Sequence, residues 1–221
     1  MSRPSRKQMK RNEMAETVGS VVEYTRDHTR TLVWAVVALF AVLALLAGYF
    51  AWRSHRGAAA TGALAAAMAV EDDDAAAREK FQEVVERFPG SAAANVARLY
   101  LGDAAAAASD AETARELWRS VARESGDTAV GQQALLNLWQ LERSQGRHDE
   151  LAAEIRSLLD EETATLGKDQ LLYELALTLE ASGSDVEARD TYLRLVDEYP
   201  QSVLIAAAQE RADRLGGATT G

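Results

Sequence analysis

The residues of this chain recur at an interval of 37. Leu64, Leu101, Leu138 and Leu175 form one ladder at that step, Phe81, Trp118, Ile155 and Tyr192 a second, and Val84, Val121, Leu158 and Leu195 a third. Self-similarity at a fixed step of about 20–50 residues marks a stacked array, in which each unit leaves an apolar face that only its neighbours cover. The chain therefore folds as consecutive copies of one small unit. Arrays of this kind present surface rather than a single reactive centre.

Punctuation between the ladders defines the unit. Phe88-Pro89-Gly90-Ser91 ends a helix, because a residue before proline is driven out of the helical region, and Ser91 is placed to cap the next one. The same pattern returns at Tyr199-Pro200-Gln201-Ser202, and shorter breaks fall at Ser109-Asp110, Ser125-Gly126-Asp127, Gly146, Gly167 and Ser182-Gly183-Ser184. Residues 71–74 supply a polar turn before a helix at 75–88. These marks divide residues 54–200 into four αα-hairpins and leave a closing helix at 202–215. That helix is expected to turn Val203, Leu204, Ala207 and Ala208 inward and Glu210, Arg211, Asp213 and Arg214 outward, as a cap on an open stack requires. Residues 216–221 are small and polar and read as a flexible tail. The fold class is all-α.

The N-terminal quarter is of a different kind. Residues 31–52 contain no charged side chain and are fenced by Arg30 and Arg53. As a helix they would span about 33 Å, the thickness of a bilayer's hydrocarbon layer. Trp34 near one end, and Tyr49, Phe50 and Trp52 at the other, sit where amphipathic rings favour the headgroups. The segment reads as a transmembrane helix contacting the lipid bilayer. It is too long, and begins too late, for a cleaved secretory signal, whose apolar run is about 7–15 residues. Residues 54–70 are Ala-rich and nothing in them forces a break, so they can continue the span as one rod. Residues 12–29 place Met14, Val18, Val21 and Val22 on one helical face. That short amphipathic helix could rest on headgroups, dock on a membrane partner, or simply lead into the span.

Charge is divided unevenly about this segment. Residues 1–30 carry seven basic and four acidic side chains of the 24 and 34 in the chain, so residues 31–221 hold 17 and 30 and carry −13. A basic flank is retained on the cytoplasmic side, which puts the N-terminus in and the C-terminal domain out. The acidic body repels phosphates, so no nucleic acid is expected as a partner. With no cysteine, disulfides, thiolate metal sites and cysteine nucleophiles are excluded together.

The search for chemistry returns little. His28, His55 and His148 are isolated, with no second ligand at metal-binding spacing. No phosphate-binding glycine loop and no Gly-x-Ser-x-Gly elbow occurs. The acidic clusters at 71–74 and 160–162 fall at helix boundaries, where they read as solvated turns. No catalytic residue, cofactor or metal is expected.

Ala77-x-x-x-Phe81 with Pro89 twelve residues after the alanine, and Gly183 followed by Ala188-x-x-x-Tyr192 and Pro200, resemble the tetratricopeptide repeat. Gly146 with Leu151 and Ile155, and Ala114 with Trp118, look like weaker copies. The layout of basic tail (1–30), one span (31–52) and exported repeat domain (54–215) is similar to the ancillary subunits of the Sec translocon. That resemblance implies a single-pass protein of the bacterial inner membrane with its repeats on the outer side. It further implies that the first helix of each hairpin lines a groove. The residues two before and two after the Leu ladder, Leu99, Leu136 and Tyr173 on one side and Asp103, Gln140 and Leu177 on the other, are the candidate partner-binding positions. They either receive an extended or helical segment or pack between neighbouring hairpins. The usual period of the family is 34, so some helices here should be longer. Ala65, Gly102 and Ala176 face Ala77, Ala114 and Ala188, whereas the third unit sets Trp139 against Leu151. Close helix contact needs small residues, so the third hairpin should be splayed.

Two functions follow. One is a membrane-anchored interaction module whose repeats bind client or partner proteins beside a membrane complex such as the protein-export translocon. The other is a structural scaffold of an envelope assembly for cell division or secretion. It would act as a homo-oligomer, with Ala41, Ala44 and Gly48 as a close-packing stripe.

Overall fold

The computed structural model describes residues 29–70, 74–161 and 165–218; in the first helix the described side chains are those of residues 33–34, 37–48 and 54–68. Every regular element among them is an α-helix. In chain order they are α1 (Thr29–Met68), α2 (Asp74–Arg87), α3 (Ala92–Ala107), α4 (Ala111–Ser125), α5 (Ala129–Ser144), α6 (His148–Asp160), α7 (Lys168–Ala181), α8 (Asp185–Glu198) and α9 (Ile205–Ala218). The chain divides into two compact units, Met1–Arg56 and Gly57–Gly221. Residues 1–28, which hold all but the last residues of the basic tail at 1–30 and of the amphipathic segment at 12–29, lie outside the described residues.

In the first unit, residues 29–56 are helical. The described apolar side chains there, including Trp34, Leu39, Phe40 and Leu45, are exposed. Among the described residues no helix is long and apolar enough to cross a membrane. The span expected at 31–52 includes side chains outside those described. The helix does run unbroken through 54–68, as the absence of a breaker allows.

The second unit is built of antiparallel helices that begin and end where the breaks lie. Ser91 Oγ accepts a hydrogen bond from Ala94 N–H and caps α3, Asp110 does the same from Thr113 for α4, and Thr128 from Gly131 for α5. The inner turns of the second, third and fourth hairpins each reverse through a left-handed residue, at Ser109 (φ 63), Gly146 (φ 77) and Gly183 (φ 80). These positions are themselves 37 apart. Glycine suits that conformation, whereas the serine carries a Cβ against it.

The ladders form the core. Phe81, Trp118, Ile155 and Tyr192 are buried, as are Val84, Val121 and Leu195. Polar links bind one hairpin to the next: Arg115–Glu142 joins α4 to α5, Arg143–Glu174 joins α5 to α7, Arg156–Glu187 joins α6 to α8, and Arg211–Glu180 joins α7 to α9. Arg115 is almost fully buried and also bonds Glu112 and Gln145. Its charge is tolerated because each face of the guanidinium finds an acceptor.

The backbones of α3 and α4, and of α7 and α8, run close together, whereas α5 and α6 approach at few positions. The third hairpin is splayed for the expected reason. Trp139 is completely buried and its Nε1–H donates to Glu154 on α6 at 3.1 Å, so an indole stands where the second and fourth hairpins have Gly102 and Ala176. The first hairpin differs from expectation: among the described residues α1 and α2 also approach at few positions, although Ala60 and Ala67 bury against Phe81 and Val84.

The closing helix corrects four readings. It begins at Ile205 rather than at 202 and runs to Ala218, so Gly216 and Gly217, assigned to a tail at 216–221, are helical. Ser202 Oγ donates to Asp169 Oδ2 at 2.6 Å and accepts from Leu204 N–H, and the helix starts only after that turn. Val203, expected inward, precedes the helix and is 94 % exposed. Arg211, expected outward, reaches Glu180. Ala208, Ala212 and Leu215 are the side chains that cover the stack.

Candidate functional site

The first helices of the second and third hairpins bring polar groups together in one cleft. α3 contributes Asp103, α4 contributes Trp118, and α5 contributes Asn137, Gln140 and Ser144, around a volume of about 320 Å³. The arrangement begins with Gly102. A Cβ there would lie 2.5 Å from Trp118 Nε1, so only glycine leaves room for the indole against α3. The indole then has one donor to satisfy in a nearly dry site, and it finds Asp103 Oδ1 at 3.1 Å. Asn137 Nδ2 donates to the same oxygen at 2.8 Å and thereby carries the link across to the third hairpin. Gln133 in turn donates to Asn137 Oδ1 at 2.7 Å.

Burial pushes the Asp103 carboxyl above its ordinary value, and the bonds from Trp118 and Asn137 oppose that rise. Among the described residues, no partner for the second carboxylate oxygen occurs. The cleft therefore offers an acceptor from Asp103, an amide with both a donor and an acceptor from the exposed Gln140, and the Ser144 hydroxyl. Such a set can accept and donate hydrogen bonds to polar groups. It does not assemble a nucleophile with a base. Among the described residues no group of three or more His, Cys, Asp or Glu could hold a metal ion.

Of the six candidate positions, Asp103 and Gln140 meet in this cleft. The other four do not join them as an open lining. Leu99 is half-buried against the core around Trp118 and Val121, and Leu136, Tyr173 and Leu177 are half-buried against the core of the last two hairpins. Tyr173 meets Tyr192 edge to face, with ring centres 5.7 Å apart. The Tyr192 hydroxyl donates to Glu180, which also holds Arg211. Burial, and then that bond to Glu180, raises the phenol's pKa well above its ordinary range. This cluster locks the cap onto the fourth hairpin.

The side chains that sequence reading passes over are Trp118, Asn137 and Ser144. Trp118 stands out only as a member of the buried ladder. Its indole N–H nevertheless requires an acceptor, and Asp103 lies 15 residues earlier, across the hairpin. That requirement is the signal that would have found the pair.

A family model described as a tetratricopeptide repeat-like domain matches residues 24–203, most of the chain. No curated protein matches it. Repeats of this kind generally mediate protein–protein interaction and are typically non-catalytic.

Proposed function

The chain belongs to the tetratricopeptide repeat-like domain family, and from this premise we propose that it is a membrane-anchored interaction module whose exported repeats hold client or partner proteins beside an inner-membrane complex. The observation that carries the reading is the open cleft in which Asp103 and Gln140 face outward beside Asn137 and Ser144. Anchoring rests on the uncharged run at 31–52 with the basic flank before it. The protein-export translocon is the complex favoured by the layout of tail, span and repeats. Tethering raises the effective concentration of a weak binder at an exit site without any new contact.

The test is a photo-crosslinking amino acid at Gln140 in intact cells, followed by carbonate extraction of the membranes. The expected product is a covalent adduct with a translocon subunit or an emerging polypeptide, recovered in the membrane pellet. Adducts only with further copies of the chain would transfer the function to a self-associating scaffold, and recovery in the soluble fraction would remove the anchor.

A further inference from the structure

The place of the Asp103 cleft recurs one repeat further on, where an arginine side chain bridges it. The step of 37 carries Ala106, Asn137 and Asp103 onto Arg143, Glu174 and Gln140. Between the third and fourth hairpins Arg143 Nη1 donates to Glu174 Oε2 at 2.8 Å, so a guanidinium crosses from α5 to α7 and neutralises the carboxylate. Gln170 donates to the other oxygen of Glu174 at 2.9 Å. In that gap the chain supplies its own cation.

Between the second and third hairpins it does not. Ala106 stands where the later repeat has Arg143, and the length of a missing side chain is left as open volume, about 320 Å³. The negative charge has shifted across the gap but is still present: α5 carries the neutral Asn137, α3 carries Asp103, and the two are bonded at 2.8 Å. Asp103 is the single charged residue lining the cleft. Its carboxyl is governed by burial and by the bonds from Trp118 and Asn137, none of them cationic.

The carboxylate is also aimed. Trp118 and Asn137 both donate to Oδ1, which fixes the plane of the group and leaves Oδ2 for a ligand. The exposed Gln140 and Ser144 add a carboxamide oxygen and a hydroxyl one turn apart on α5. A planar guanidinium, with five N–H donors in a fixed fork, can meet several such acceptors at once. An anion would be repelled by Asp103, and an apolar side chain would leave the acceptors unpaired.

We propose that this cleft receives an arginine side chain of the bound polypeptide, its guanidinium between Asp103 and the acceptors of Gln140 and Ser144, in the place that Arg143 fills one repeat later. This selectivity rests on the reading that polypeptides enter the cleft.

The experiment uses the full chain, labelled with nitrogen-15, in mild detergent at about 0.15 M salt, where a Debye length of about 8 Å screens the acidic body. Two Gly-Ser peptides differ only in a central arginine or its uncharged isostere citrulline, and binding is read from the indole N–H signal of Trp118. The arginine peptide is expected to bind about fivefold more tightly. Asp103→Asn removes the charge, and Ala106→Arg supplies a guanidinium from within the chain; each should erase the preference, with helicity checked by circular dichroism. Asp213→Asn removes an equal charge from the exposed face of α9 and should leave it intact. Equal binding of the two peptides, no saturable shift with the arginine peptide, or a preference that survives Asp103→Asn overturns the proposal. So does a preference that Asp213→Asn also abolishes, since the attraction is then that of the whole acidic body. Crosslinks at Gln140 report any polypeptide that enters the cleft in cells, whatever its charge, so crosslinking without an arginine preference removes the selectivity alone.

Discussion

Gly102→Ala sets two effects of opposite sign against each other, and the structure decides between them. In an ordinary helix the change is stabilising by about 1 kcal/mol, because alanine restricts the unfolded chain and suits the helix. Here the new methyl would lie 2.5 Å from Trp118 Nε1 and 2.7 Å from Cδ1. The ring must retreat by about an ångström, from a position where Trp118 packs to 5 % exposure at the edge of the Asp103 cleft. Overpacking of that kind costs about 1–3 kcal/mol. The retreat also lengthens the bond to Asp103; a hydrogen bond to a charged group is worth about 1.5–3 kcal/mol, and the lower end applies because Asp103 is only partly buried. The loss exceeds the gain, and the net expectation is a destabilisation of about 1–3 kcal/mol. Urea unfolding of the full chain in mild detergent, followed by circular dichroism, measures it. The same change in a Trp118→Phe background, where the smaller ring leaves room for the methyl, should be close to neutral or slightly stabilising. A stabilised single variant, or an equal loss in both backgrounds, would refute the packing argument.

Two further changes test the turn and the cleft. Ser109→Gly relieves the left-handed serine and should stabilise by about 0.5 kcal/mol after the greater freedom of glycine in the unfolded chain is subtracted, whereas a loss in the same urea assay would contradict the strain. Asp103→Asn keeps an oxygen for Trp118 and Asn137 and removes a charge. Because burial raises the Asp103 pKa in the folded state, its favourable contribution belongs to the protonated form, present below the ordinary value of 3.8 and lost as pH rises through the folded value. The asparagine variant should therefore equal or exceed the wild type in stability at pH 7, with the difference shrinking toward pH 4. A deficit that widens with rising pH would reverse the sign of the argument.

Much of the architecture was legible because it depends on local chemistry repeated at a fixed step. Ser91, Asp110 and Thr128 cap helices because each has a side-chain oxygen within reach of the backbone three residues on. The splay of α5 from α6 was legible as well, since Trp139 puts bulk where Gly102 and Ala176 allow close approach. Ser202 shows where such reasoning fails. Its neighbours match those of Ser91, but its hydroxyl is oriented by donating to Asp169, 33 residues earlier, and accepts from the N–H two residues on rather than three, so the closing helix starts beyond it. Local capping rules do not register a competitor so distant in the chain.

The candidate site divides in the same way. Periodicity placed Asp103 and Gln140 on one surface, because positions near a repeating ladder share a face. It could not tell an open position from one covered by the next hairpin, which is why Leu99, Leu136, Tyr173 and Leu177 turned out half-buried.

Period, helix identity, the uncharged run and the split of charge were properties of the chain alone, since each follows from residue type and spacing. The contact of Trp118 with Asp103 and the turn of Arg211 toward Glu180 belong to the tertiary structure. Each depends on how far two helices stand apart, and that distance is set by side-chain volumes meeting across the stack rather than by any segment on its own.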